Sequence, residues 1–314
     1  MESSPGKHIL ITNDDGIDAY GLGVLVENVS ALPGMRVTVV APSAQQSATS
    51  HSLTLTAPLR VIRRGRGRYA VTGTPTDAVL MALEQILADD PPDVVLSGIN
   101  HGPNMGEDVL YSGTVAAAME GALFHKPSFA LSLASWHPRD FSGAAAFVRR
   151  FLPRLLEQPL PPGTLLNINI PDGPEDALKG VKVAKLGSRV YHDVITDHVD
   201  PRGRPYYWIG GRGPTWEEAP DTDYTALSAG YVAVTPLMID ITDYKLLAEM
   251  SKFETDGLPG QPIAEPDRYR PSGDVGEADG PDDPRGPGVP RDARDPGRGG
   301  RDPGAAGDEW TGES

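Results

Sequence analysis

The chain has 314 residues, enough for a sizeable core, and no cysteine, which excludes disulfides, thiolate catalysis and zinc–thiolate centres. Its formal net charge of −15 argues against a nucleic-acid backbone as main partner, because counterion release needs a basic surface. No apolar run approaches the roughly 18–20 residues of a membrane span or a signal-peptide core, so a soluble cytoplasmic protein with no membrane partner is expected.

Ile9, Leu10 and Ile11 read as a buried strand, ended by Asn13-Asp14-Asp15-Gly16. The spacing of Leu22, Leu25, Val26 and Val29 predicts a helix over 18–32, stopped by Pro33-Gly34. A second buried strand follows over 36–41 and ends at Pro42, which completes a unit of the size of a right-handed βαβ crossover. Residues 43–52 form a polar loop. Strands are predicted over 53–62 and 68–72, joined by a Gly/Arg-rich turn, then a helix over 78–88 with Thr76 or Asp77 as its cap. Residues 93–97 are a further buried strand, leading into Gly98-Ile99-Asn100-His101-Gly102 and a second polar loop. Ser112-Gly113-Thr114 precedes an Ala-rich helix over 115–123. Next come a strand over 128–133, a helix over 142–156 and a strand over 165–170. Strands alternating with helices predict an α/β fold, a Rossmann-like, mostly parallel doubly wound sheet.

After about residue 180 the texture changes. Strand-like stretches over 181–187 and 206–210 flank Asp200-Pro201-Arg202-Gly203, a strong turn, and predict an extended hairpin arm over about 181–215. A strand over 231–235 and a helix capped by Thr242 or Asp243 and running to about 253 close the domain, taken as 1–254. Most of the remaining 60 residues are Pro, Gly, Asp and Arg, a composition that cannot offset its ordering entropy, so 255–314 is expected to be a disordered tail.

In a doubly wound sheet the loops Asn13-Asp14-Asp15-Gly16, 43–52 and Gly98-Ile99-Asn100-His101-Gly102 converge on one crevice at the strands' carboxyl ends. They offer carboxylates, hydroxyls and carboxamides, an oxygen donor set suited to Mg²⁺, Mn²⁺ or Ca²⁺. The alternative for Asp14-Asp15-Gly16 is an acidic turn that only ends a strand. Ser112, Gly113 and Thr114 open a helix, where free N–H groups suit a phosphate; a plain helix cap is the alternative, and the two roles can coexist. His51 and His101 are candidates for a general acid or a supporting donor, against ordinary surface residues. Asp77 reads as a cap rather than a ligand. The chain lacks G-x-x-x-x-G-K-[ST], G-x-G-x-x-G after the first strand and G-x-S-x-G, so P-loop, ordinary dinucleotide-binding and nucleophile-elbow readings lose their signatures.

The ordered set Ile11-Thr12-Asn13-Asp14-Asp15-Gly16, Ser47-Ala48-Thr49-Ser50-His51-Ser52, Gly73-Thr74-Pro75-Thr76-Asp77, Ser97-Gly98-Ile99-Asn100-His101-Gly102-Pro103-Asn104 and Tyr111-Ser112-Gly113-Thr114 resembles the survival protein SurE family. The resemblance continues through Asn167-Ile168-Asn169, Thr222-Asp223 and Gly230-Tyr231-Val232. It implies a metal-dependent nucleotidase acting on nucleoside 5′-monophosphates, with 3′-monophosphates as further substrates. It implies one divalent cation per subunit, Mg²⁺ or Mn²⁺ before Ca²⁺, held by Asp14, Asp15, Ser47 and Asn100. Asp14 and Asp15 are then the catalytic pair. Asn100, Ser112, Gly113 and Thr114 become phosphate contacts, and a homodimer or homotetramer built through the hairpin and C-terminal segment is implied. One departure stands out: the family's charged residues after Ala-Pro are replaced by Ser43-Ala44-Gln45-Gln46, which bears on substrate preference. A non-catalytic nucleotide- or phosphate-binding module is the rival expectation.

Overall fold

The computed structural model describes residues 6–138, 140–190, 195–209 and 215–253. The expected tail over 255–314 lies outside them. The chain divides into two units, Met1–Glu249 and Met250–Ser314; of the second, a 3₁₀ turn over Ser251–Phe253 is described.

The first unit opens with β1 (Lys7–Thr12), α1 (Tyr20–Ser30) and β2 (Met35–Pro42). It goes on through β3 (Val61–Gly65), β4 (Arg68–Val71), α2 (Pro75–Met81), β5 (Val94–His101), α3 (Gly113–Leu123) and β6 (Ser128–Leu133). Next are α4 (Ser142–Arg150), α5 (Leu152–Leu156), β7 (Thr164–Ile170), β8 (Val181–Val183), β9 (Arg189–Val190) and β10 (Ile195–Val199). The last elements are β11 (Pro205–Ile209), β12 (Thr215–Trp216), α6 (Asp223–Ser228), β13 (Val232–Met238) and α7 (Tyr244–Met250).

Nine strands form the main sheet in the order β3-β4-β2-β1-β5-β6-β7-β13-β8. The run from β4 to β7 is parallel throughout. The edges are mixed, with β3 antiparallel to β4 and β13 antiparallel to β7. Both faces of β1 are buried, which is why its apolar residues run without polar alternation. Ile9 and Ile11 pack with Leu22, Leu25, Phe129 and Val148 on one face; Leu10 packs with Val40, Val79 and Ala117 on the other. From β1 the chain steps to β2 on one side; after β4 it returns through α2 to β5 on the other. The strand order therefore reverses between β1 and β5, where a ligand crevice forms in such sheets.

Several local expectations are corrected. Residues 53–60 form no strand: the backbone N–H and hydroxyl of Thr54 are both spent on Asp77, at 3.0 and 2.6 Å, and Pro58 has no N–H to give a ladder. The cap of α2 is Thr74, with Asp77 closing a reciprocal capping box, and the helix passes into a π turn over Ala82–Ile86. The helix over 142–156 splits in two beside Pro153, whose missing N–H interrupts the ladder. The stretch over 181–187 supplies β8, three residues that join the main sheet beside β13, and is not the partner of the strand near 206. That partner is β10: β10 and β11 form the hairpin, turned at Asp200-Pro201-Arg202-Gly203, where Asp200 Oδ1 accepts the N–H groups of Arg202 and Arg204.

Candidate functional site

The turn after β1 is fixed from within. Buried Asn13 donates through Nδ2 to Gly16 O at 2.9 Å, and Gly16 has φ +99°, a conformation that favours glycine. This turn aims Asp14 and Asp15 at the reversal point from two directions.

Asp14 faces α3. The Thr114 hydroxyl donates to its Oδ1, and a Cβ placed on Gly113 would sit 2.8 Å from Asp14 Cβ and 3.0 Å from Oδ2. Only a glycine lets the helix start come this close. Asp14 is 4% exposed, and burial, reinforced by the charge of Asp15, pushes its carboxyl up to about 6 against the bond from Thr114. Asp15 faces β5 and accepts the backbone N–H of His101 at 3.3 Å. Burial raises this carboxyl too, and the His101 N–H opposes the shift.

Asn100 lies on β5 beside His101, past a register shift that begins at Ser97. It is 9% exposed, and its Nδ2 donates to Gly102 O at 2.8 Å, which orients the amide and leaves the carbonyl oxygen for another partner. Ser47 lies on the exposed loop after β2 and accepts from Gln45 Nε2 at 3.0 Å. The residue before it, Gln46, donates its backbone N–H to Asp14 O at 2.7 Å, which ties this loop to the first turn. Ser50 fastens the same loop to the residues before α3, through its N–H to Tyr111 O at 3.1 Å and its hydroxyl to Leu110 O at 2.8 Å. Ser112 caps α3 by accepting the N–H of Val115 at 3.1 Å, so the capping role is present.

The two histidines separate. His51 turns to α3, with Nε2 2.8 Å from Glu120 Oε2. His101 packs edge-on against Phe141 with ring centroids 5.5 Å apart, at one end of a 690 Å³ cleft also lined by Tyr20, Asn28 and Arg149. Asp77 stays in its capping box, as its position suggests.

The donor chemistry of this corner fits a hard divalent cation. Every candidate ligand atom is an oxygen. Asp14 is buried and Asp15 half-buried, and burial raises both carboxyls, a cost that a cation between them relieves. Among the described residues no cluster of three His, Cys, Asp or Glu could hold a metal, so such a site needs serine, asparagine and water oxygens beside the aspartates.

Sequence reasoning gives no role to Asn104, Asn167, Asn169 or Asp223, although the resemblance runs through all four. The Asn104 backbone is clamped by Asn167 and Asn169 of β7, at 2.7–2.9 Å, and its Nδ2 reaches Ser132 Oγ at 2.8 Å. The alternation Asn167-x-Asn169 inside an otherwise apolar strand is the signal that could have found the pair. Asp223 and Glu120 carry no comparable local signal.

The sheet order, the acidic pair at its reversal point and the helix start facing that pair define a Rossmann-like α/β protein with an oxygen-lined candidate site. Residues 9–193 match the family model of survival protein SurE. A 5′-nucleotidase SurE of Anaeromyxobacter dehalogenans is 47% identical over 256 residues, covering 81% of this chain and 98% of that protein. A 5′-nucleotidase SurE of Gemmatimonas aurantiaca is 50% identical over 243 residues, 76% of this chain and 95% of the relative. The crystal structure of SurE protein from Aquifex aeolicus aligns with a TM-score of 0.70 and 38% identity, over 79% of this chain and all of that one. The chain belongs to the survival protein SurE family.

Proposed function

We propose that this protein is a divalent-metal-dependent nucleotidase that hydrolyses nucleoside 5′-monophosphates, and 3′-monophosphates as secondary substrates, to nucleoside and phosphate. The observation that carries the reading is the pairing of Asp14 with the start of α3, which sets an acidic metal-type corner against the N–H groups that suit a phosphate. The names of the relatives, 5′-nucleotidase SurE, support the reaction class.

Asp14, Asp15, Ser47 and Asn100 would hold one Mg²⁺ or Mn²⁺, with Ca²⁺ as a weaker substitute. When bound, the cation supplies Lewis acidity to a phosphoryl oxygen and acidity to a coordinated water. The chain supplies the rest. Thr114 holds Asp14 in place, and the free N–H groups at the start of α3 receive charge that develops on the phosphoryl oxygens. The His101 N–H fixes Asp15. Ser43-Ala44-Gln45-Gln46 leaves the site rim uncharged and favours breadth over tight selection among nucleotides. Exposed Ile195, Tyr207, Trp208 and Ile209 on the hairpin support a homodimer or homotetramer.

The test is phosphate release from a panel of nucleoside monophosphates, before and after chelation. Release is expected to stop with chelator and to return with Mg²⁺ or Mn²⁺. Turnover that survives complete chelation, or none on any nucleotide with metal present, refutes the proposal.

A further inference from the structure

The residues between β5 and α3 are clamped by groups that lie outside the site. Asp223, fully buried at the start of α6, accepts three backbone N–H groups: Gly106 on Oδ2 at 2.9 Å, with Gly187 and Tyr224 on Oδ1, both at 2.8 Å. Gly106 belongs to a 3₁₀ turn over Gly106–Leu110, and Gly187 belongs to the base of the arm. The two backbones cross with no room to spare: a Cβ on Gly106 would lie 2.8 Å from Gly187 O and 2.9 Å from the Trp216 ring. Beside this crossing, Glu107 accepts the Arg189 N–H at 2.7 Å and the Ser188 hydroxyl at 3.1 Å. Asp108 forms an ion pair with the Arg189 guanidinium.

On its other side the same turn leads straight into the site. Leu110 O and Tyr111 O hold Ser50, three residues beyond Ser47, and Ser112 begins α3. A continuous set of hydrogen bonds therefore runs from the arm's base through Gly106, Glu107 and Asp108 to both the Ser47 loop and the phosphate-facing helix start.

A buried carboxylate is tolerated only when its oxygens are satisfied, and here both are engaged by the main chain. An asparagine in its place has one acceptor oxygen. Its NH₂ would face either the Gly106 N–H or the pair from Gly187 and Tyr224, so one side of the clamp must open.

We infer that Asp223 is a positioning residue for phosphoryl transfer: together with Glu107 it fixes the turn before α3 to the base of the arm, and so sets the helix start and the Ser47 loop against Asp14. This rests on the reading of Ser112-Gly113-Thr114 as the phosphate site.

The test compares Asp223→Asn and Glu107→Ala with the parent in three measurements: amide hydrogen exchange, kcat and KM on a nucleoside monophosphate, and calorimetric binding of inorganic phosphate to the metal-loaded protein. Asp223→Asn is expected to speed exchange across 105–115 and 47–52 while β1 and β5 stay protected. A misplacement of this kind is expected to lower kcat by about tenfold to a hundredfold, and phosphate affinity should fall with it. Glu107→Ala should move the same readouts in the same direction, less far. It decides alone if Asp223→Asn does not fold, since Glu107 lies outside the core. If faster exchange leaves kcat and phosphate affinity within about twofold of the parent, Asp223 is merely structural and the inference fails. A parent inactive on every nucleotide refutes the nucleotidase reading instead. Phosphate binding and exchange then still decide whether the clamp positions the anion site.

Discussion

Replacing Asp14 with Asn removes a charge and almost no volume, so it isolates the electrostatics of the acidic corner. Burial holds the Asp14 carboxyl at about 6, against an ordinary 3.8. At about 1.4 kcal/mol per pH unit, that gap is about 3 kcal/mol of stability in the metal-free protein. Its sign follows from proton binding. The folded-state value is the higher one, so between about pH 4 and 6 the folded protein keeps a proton that the unfolded chain has lost. This contribution is complete below about pH 4, is lost as pH rises through about 6, and stays lost above. The introduced asparagine does not ionise, and its amide oxygen can still accept the Thr114 hydroxyl. Chelator-treated Asp14→Asn is therefore expected to be more stable than the parent at pH 8 by about 1–3 kcal/mol, at about 2–4 °C of melting temperature per kcal/mol. The two proteins should converge near pH 4. The variant should also lose phosphate release and any thermal shift on adding Mg²⁺ or Mn²⁺. Thermal unfolding at pH 4.5 and pH 8, with and without metal, measures the stability and metal effects, and a phosphate-release assay measures the turnover. A variant with no stability gain at pH 8, or with metal-dependent turnover intact, refutes the reasoning.

Two further substitutions test the surroundings. Gly113→Ala places a methyl 2.8 Å from Asp14 Cβ, so the start of α3 must back away; kcat is expected to fall by about a hundredfold, measured by steady-state kinetics. Asn169→Ala strands the buried N–H of Asn104 and removes one of the donors to its carbonyl; denaturant unfolding is expected to show a loss of about 2–4 kcal/mol.

How much of this was legible in the chain depends on the range of the forces involved. The apolar run of β1, the turn that ends it and the Ser112 cap of α3 are local, and each is visible in a few neighbouring residues. The convergence of the acidic turn with Asn100 was legible once strands and helices alternate, because a doubly wound sheet dictates where strand ends meet. Placing the cap of α2 at Thr76 or Asp77 failed because the capping box shares the work between Thr74, three residues upstream, and Asp77. The partner of residues 181–183 was hidden, since three residues carry too little pattern to specify a neighbour some fifty positions away. Asp223 reads locally as an ordinary first-turn acid behind the cap Thr222. Its main partners, Gly106 and Gly187, lie 117 and 36 residues off and offer only backbone, which leaves no trace in side-chain identity.

Asp14 and Thr114 stand a hundred positions apart in the chain and touch only in the finished fold. A half-made polypeptide leaving the ribosome thus carries the acid long before its counterpart exists. The pairing arrives only with the closing of the sheet around α3, so this corner is a product of completed folding and of no single segment.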